Sequence, residues 1–166
     1  MSETIDKILD AAEGAMRLKG YHAVSFRDLA DDLGIKSASV HYHFRQKEDL
    51  GRALVERYAD RFFTALNDNP EADRLIAYCA AYRDALVRSD RICLCGMLGA
   101  ESCGLPDSVS APVRAFFQRN LEWLTKACGS PQRAAHVLAA MQGAMMIAQS
   151  IGDYALFDSV VAELTA

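Results

Sequence analysis

The sequence predicts an all-α chain. Apolar residues recur at three- and four-residue spacing along almost the whole length, and the interruptions are centred on glycine and proline. No stretch alternates polar with apolar residues as a half-buried strand would.

Each element follows from that pattern. Ile5, Ile8, Leu9, Ala12 and Met16 share one face of a first helix, and Gly20 supplies a left-handed stop. Ser25, with Asp28 three residues on, reads as a helix N-cap of the capping-box kind. Phe26, Leu29, Ala30 and Leu33 then line a short helix that Gly34 ends, and a second short helix is expected from about Ser37 to Phe44. Leu50, Leu54, Tyr58, Phe62 and Leu66 step by four along a long amphipathic helix. The clearest break is "NDNP", Asn67 to Pro70. Further helices are expected around Ala72 to Val87, Cys93 to Glu101, Val109 to Ala127, Gln132 to Ile151 and Tyr154 to Leu164, separated by the turn-forming "CGLPD", "CGSP" and "GD".

Composition narrows the class. A chain of 166 residues fits one or two compact units, and 51% hydrophobic with 24% charged residues is a globular balance. The start, "MSETIDKILD", lacks the apolar core of a signal peptide. The most apolar run, Ala134 to Ala148, is interrupted by His136, Gln142 and Gly143 and reads as too short to span a bilayer. Five irregularly spaced cysteines do not make a secreted disulfide framework, so a reduced, cytoplasmic protein is expected. With a formal net charge of -4, any contact with nucleic acid has to be local.

One segment is built for such a contact. "GIKSASVHYHFRQK", residues 34 to 47, holds Lys36, Arg45 and Lys47, two histidines, a tyrosine and no carboxylate, although acidic residues flank it on both sides. Two short helices joined by a glycine-containing turn form a helix-turn-helix, whose second helix enters the DNA major groove. Val40 and Phe44, four apart, belong to the core, which turns Ala38, Ser39, His41 and Tyr42 outward or sideways. Small and hydroxyl side chains admit base edges, Tyr and His donate to phosphate, and Lys and Arg neutralise it. A carboxylate here would face phosphate at short range.

"SFRDLADDLGIKSASVHYHFRQKEDL" resembles the DNA-binding domain of the TetR/AcrR family of bacterial transcriptional regulators, and the likeness covers residues 5 to 58. The resemblance implies a helix-turn-helix domain over residues 1–48 and a helical ligand-binding and dimerisation domain over 49–166. It implies that Ser25, Tyr42 and Lys47 touch phosphates, and that Ser37, Ala38, Ser39, His41 and His43 sit at or beside the bases. Lys36 replaces the Ser or Thr cap frequent in the family, and His41 replaces a frequent Tyr. The partners implied are double-stranded operator DNA, a second copy of the chain and a small-molecule effector that releases the DNA.

Farther along, "AAHVLAAMQGAMMIA" is apolar on nearly every side, so its helix needs burial on two faces. Its own domain supplies one, and a second subunit is expected to supply the other, with the last helix (Phe157, Val160, Val161, Leu164) completing a four-helix packing. Tyr78, Tyr82, Met97, Phe116, Phe117, Trp123, Met141 and Met145 are the candidate walls of a pocket for a small organic ligand. Cys93, Cys95 and Cys103 lie close together beside Arg91, which raises thiol-based sensing of oxidants or electrophiles as an alternative trigger. An enzyme would have to use Cys93 or Cys95 with His136, and there is neither a phosphate-binding glycine loop nor a metal-ligand cluster, so no catalysis, cofactor or metal is expected.

Overall fold

A computed structural model describes residues 3–68 and 73–166, and over these the chain is helical, with no strand among the described residues. The expected break at Asn67 to Pro70 therefore lies partly outside the described residues, as does the expected helix start at Ala72. The elements are α1 (Glu3–Lys19), α2 (Phe26–Leu33), α3 (Ser37–His43), α4 (Lys47–Asn67), α5 (Arg74–Ser89), α6 (Leu94–Ala100), α7 (Asp107–Cys128), α8 (Pro131–Ile151) and α9 (Tyr154–Thr165).

Local chemistry sets most of the boundaries. Gly20 has φ 79° and its amide donates to the Met16 carbonyl at 2.9 Å, closing α1. The Ser25 hydroxyl accepts from the Asp28 amide at 3.1 Å while an Asp28 carboxylate oxygen accepts from the Ser25 amide at 3.2 Å, so the capping box is complete. Gly34, at φ 64°, ends α2. At the head of α4 the Gln46 amide donates to the Asp49 carboxylate at 3.2 Å and the Asp49 amide to the Gln46 carbonyl at 3.1 Å, a cap of the capping-box kind. The spacing alone did not announce that box, because Gln is a rare N-cap. Helix α7 starts at Asp107, two residues before the expected Val109, and accommodates Pro112 in its interior.

Helices α1 to α3 form one end of the molecule. Ile8, Leu9, Met16, Leu29 and Val40 are almost fully buried there, and Phe44 closes that core. Helix α4 leaves this unit and packs along α7, and the short α6 sits between α1 and α7. Polar contacts fasten the unit to the rest. Arg17, nearly buried, donates through Nε to the Ile92 carbonyl at 2.8 Å and through Nη2 to the Arg91 carbonyl at 2.8 Å. Arg57 of α4 pairs with Asp10 of α1 at 2.7 Å.

Helix α8 buries Val137, Leu138, Met141, Ala144, Met145 and Ala148 against its neighbours, chiefly α7 and α9. Its other face leaves Met146 55% and Ile151 60% exposed, with Ala139 and Ile147 beside them. By length and composition alone the helix is long and apolar enough to cross a membrane, a test that the core helix of a bundle also passes. The helix extends beyond the Ala134–Ala148 run at both ends, and it packs as one layer of the bundle. Phe157 and Leu164 of α9 turn into the chain's own core, whereas Val160 and Val161 are half-buried.

Candidate nucleic-acid interface

Helix α3 presents its residues unequally. Val40 is inward, as the four-residue spacing required. Lys36, Ala38, His41 and Tyr42 are exposed, Tyr42 to 84%, while Ser37, Ser39 and His43 are half-buried on its flanks. The Tyr42 ring stands edge-on to His43 at 5.0 Å, and His41 stands edge-on to Phe26 at 4.8 Å, which limits the sweep of both side chains. Lys36 occupies the N-cap position without a side-chain hydrogen bond to the helix, leaving its ammonium free to point outward. Ser25 is exposed, but its hydroxyl also donates to the Asp28 carboxylate at 2.7 Å.

Lys47 is placed differently from the other basic groups. Its ammonium donates to the His22 carbonyl at 3.2 Å and lies 4.4 Å from the centroid of the Tyr21 ring. Partial burial pulls its pKa below the ordinary lysine value, and the negative charge of Glu101 acts in the opposite direction. Glu101 itself comes from the end of α6, and its carboxylate accepts a 2.8 Å hydrogen bond from the Tyr21 amide. A carboxylate absent from residues 34 to 47 is thus supplied by Glu101, 54 residues beyond Lys47 in the chain, and acts on one of the three basic residues of the segment.

The candidate ligand residues fall into two groups. Tyr78, Tyr82, Phe116, Met141 and Met145 are buried to 1% exposure or less and fill space with one another, whereas Met97, Phe117 and Trp123 are half-buried. At the centre is Asn120, fully buried, which sequence reasoning missed. Its Oδ1 accepts from the Tyr78 hydroxyl at 2.7 Å and the Tyr82 hydroxyl at 3.4 Å, and its Nδ2 donates to the Phe116 carbonyl at 2.8 Å. Gln142 Nε2 donates to the Tyr82 hydroxyl at 3.0 Å. Burial keeps both tyrosines protonated well beyond the ordinary phenol range. One signal was available, since Asn120 falls on the same helical face as Val113, Phe116 and Leu124, where an apolar residue is the rule.

The cysteines separate as well. Cys93 and Cys95 are buried and Cys103 is exposed. Burial alone would raise the Cys93 thiol. Hydrogen bonds from the Cys95 thiol, the Tyr58 hydroxyl at 3.4 Å, the Gly96 amide and the Gln142 side chain outweigh it and hold Cys93 below the ordinary thiol range, while burial and the neighbouring Cys93 push Cys95 up. His136 is exposed on α8, in a groove with Arg133, Val160 and Glu163, and is not among the groups around Cys93. No group of three or more His, Cys, Asp or Glu able to hold a metal occurs among the described residues.

Comparison with known proteins gives this arrangement its context. Residues 8–54 match the family model described as bacterial regulatory proteins, tetR family. The transcriptional regulator AcuR of Cereibacter sphaeroides is 32% identical over 126 residues, covering 67% of this chain and 57% of that protein. The HTH-type transcriptional repressor ComR of Escherichia coli is 30% identical over 109 residues, covering 62% of this chain and 52% of that protein. The chain thus spans little more than half the length of these two relatives. A TetR transcriptional regulator from Legionella pneumophila superposes with a TM-score of 0.89 at 28% identity, over 99% of this chain and 97% of that one. A TetR-family regulator from Agrobacterium tumefaciens gives 0.86 at 28%, over 96% and 94%. The helix-turn-helix end, the helical remainder and these likenesses agree: the chain belongs to the TetR family of bacterial regulatory proteins.

Proposed function

We propose that the protein is a cytoplasmic transcriptional regulator, acting as a repressor, that binds a palindromic operator as a homodimer and releases it when a small organic molecule binds. In this reading residues 1–48 form the DNA-binding domain and residues 49–166 the ligand-binding and dimerisation domain. The observation that carries it is α3, which exposes Ala38, His41 and Tyr42 between basic residues and offers no carboxylate of its own to a phosphate backbone. Lys36, Ser37, Ser39 and His43 complete the groove-facing set, and Ser25, Tyr42 and Lys47 position the domain on phosphates.

The second copy occupies the open face of α8 and α9. Met146, Ile147 and Ile151 give it apolar area, and Ala139 and Gly143 let two helices approach closely. Two such subunits place their α3 helices about one DNA turn apart, ~34–36 Å, or a multiple of it. The effector enters the aromatic region of Tyr78, Tyr82, Phe116, Met141 and Met145 by parting side chains that otherwise fill it, from the half-buried side of Met97, Phe117 and Trp123.

Thiol sensing is the second reading, and access limits it to Cys103, because Cys93 and Cys95 are no more than 1% exposed. The test is a gel-shift series on selected genomic fragments at increasing salt, together with sedimentation. Salt-sensitive, sequence-selective binding by a dimer is expected, and binding at full affinity by a monomer would rule out the dimeric arrangement. Loss of oxidant response in a triple Cys→Ser variant, with ligand response intact, would favour the thiol reading.

A further inference from the structure

We propose a second effector site, for a small organic anion, in the cavity between the end of α6 and the first turns of α7. The cavity is ≈ 420 Å³ and is open at the surface. Leu105, Val113 and Phe117 give it an apolar wall, and Ser102, Ser110 and Arg114 bring polar atoms to it. Arg114 is exposed, and its guanidinium has no ion-pair partner among the described residues. A guanidinium at the edge of an apolar wall selects a carboxylate on a short hydrocarbon body, because the planar fork binds both oxygens while the body leaves water. Asp107 also lines the cavity, but it sits two turns before Arg114 on α7, roughly 10 Å along the axis, so the anionic end belongs at Arg114.

The position of the cavity matters as much as its lining. Its floor is the turn from Glu101 to Leu105, in which the Gly104 amide donates to the Glu101 carbonyl at 2.8 Å. Glu101 is the residue whose carboxylate holds the Tyr21 amide and acts electrostatically on Lys47. An anion that rearranges residues 102 to 105 therefore acts on the peg that sets the helix-turn-helix against the bundle, without any route through the aromatic core. Only this output rests on the DNA-binding reading. Occupancy of the cavity does not.

The test uses the full chain, with sodium hexanoate as probe and hexanamide as its neutral control. Calorimetry to about 10 mM is expected to detect hexanoate binding, with hexanamide and the Arg114→Gln variant each roughly tenfold weaker. No hexanoate binding, or equal binding by Arg114→Gln, would overturn the site. Operator affinity, followed by fluorescence anisotropy, is expected to fall on hexanoate saturation in the wild type. In Glu101→Gln it should fall less, with hexanoate binding unchanged. Hexanoate binding with no change in operator affinity would overturn the coupling alone. Failure to bind any duplex in the absence of hexanoate would overturn the DNA-binding reading, and the calorimetric arm would still decide the cavity.

Discussion

The recognition segment and the bundle interior use polar side chains in opposite ways. Between residues 36 and 47 most polar groups are turned to solvent, where an outside ligand can complete them. Around Asn120 every hydroxyl and amide is already paired inside the protein, by residues drawn from α5, α7 and α8. The difference explains their layout in the chain. A surface that borrows its partners from a ligand can be written in a dozen consecutive residues. A buried polar cluster must find its partners in the fold, so it is scattered over long separations.

The comparison breaks most readily in the interior. Asn120→Ala removes the acceptor of two buried hydroxyls and leaves a void, and should lower stability by about 3 kcal/mol, seen as a fall in the urea midpoint. An unchanged midpoint would show that water replaces the amide and that the interior is less closed than described. At the surface, Lys47→Ala should weaken binding to every duplex by roughly tenfold and reduce the salt slope by about one unit. An unaltered slope would mean that Lys47 serves the Tyr21–Glu101 contact and not phosphate. Ser25→Ala, which removes a cap but no core atom, should cost about 1 kcal/mol in thermal or chemical unfolding. Tyr42→Ala should leave stability within about 0.5 kcal/mol while weakening operator and random-duplex binding alike, as loss of a phosphate contact does; a loss confined to the operator would mean that Tyr42 reads bases.

Most of the fold was legible because its signals are local. Ser25 and Asp28 announced a cap, Gly20 and Gly34 announced stops, and the four-residue step from Leu50 to Leu66 announced α4 within a few residues of its ends. Which residues of α3 face outward was also legible, since Val40 fixes the phase of the helix. The contacts that join the two regions were not. Arg17 reaching the Arg91 and Ile92 carbonyls, or Glu101 reaching the Tyr21 amide, depends on chain segments 70 to 80 residues apart, and each looks in sequence like an ordinary charge on a helical surface. The inward turn of Phe157 and Leu164 was hidden for the same reason, because periodicity defines a helical face but not the neighbour it meets.

Gly20 is more than a helix stop. A Cβ built on it would overlap the Glu101 carboxylate, so the missing side chain is the socket that receives that group. Gly20→Ala would strain a backbone at φ 79° and at the same time expel Glu101 from the Tyr21 amide. Glu101→Gln keeps the socket and changes only the charge, which separates the two effects. Because coupling between sites is reciprocal, a chain with its socket filled should bind operator with an affinity that no longer answers to an occupant of the α6–α7 cavity. Substitutions at position 20 should then uncouple operator affinity from hexanoate in the α6–α7 cavity, although Gly20 lies neither in that cavity nor on α3.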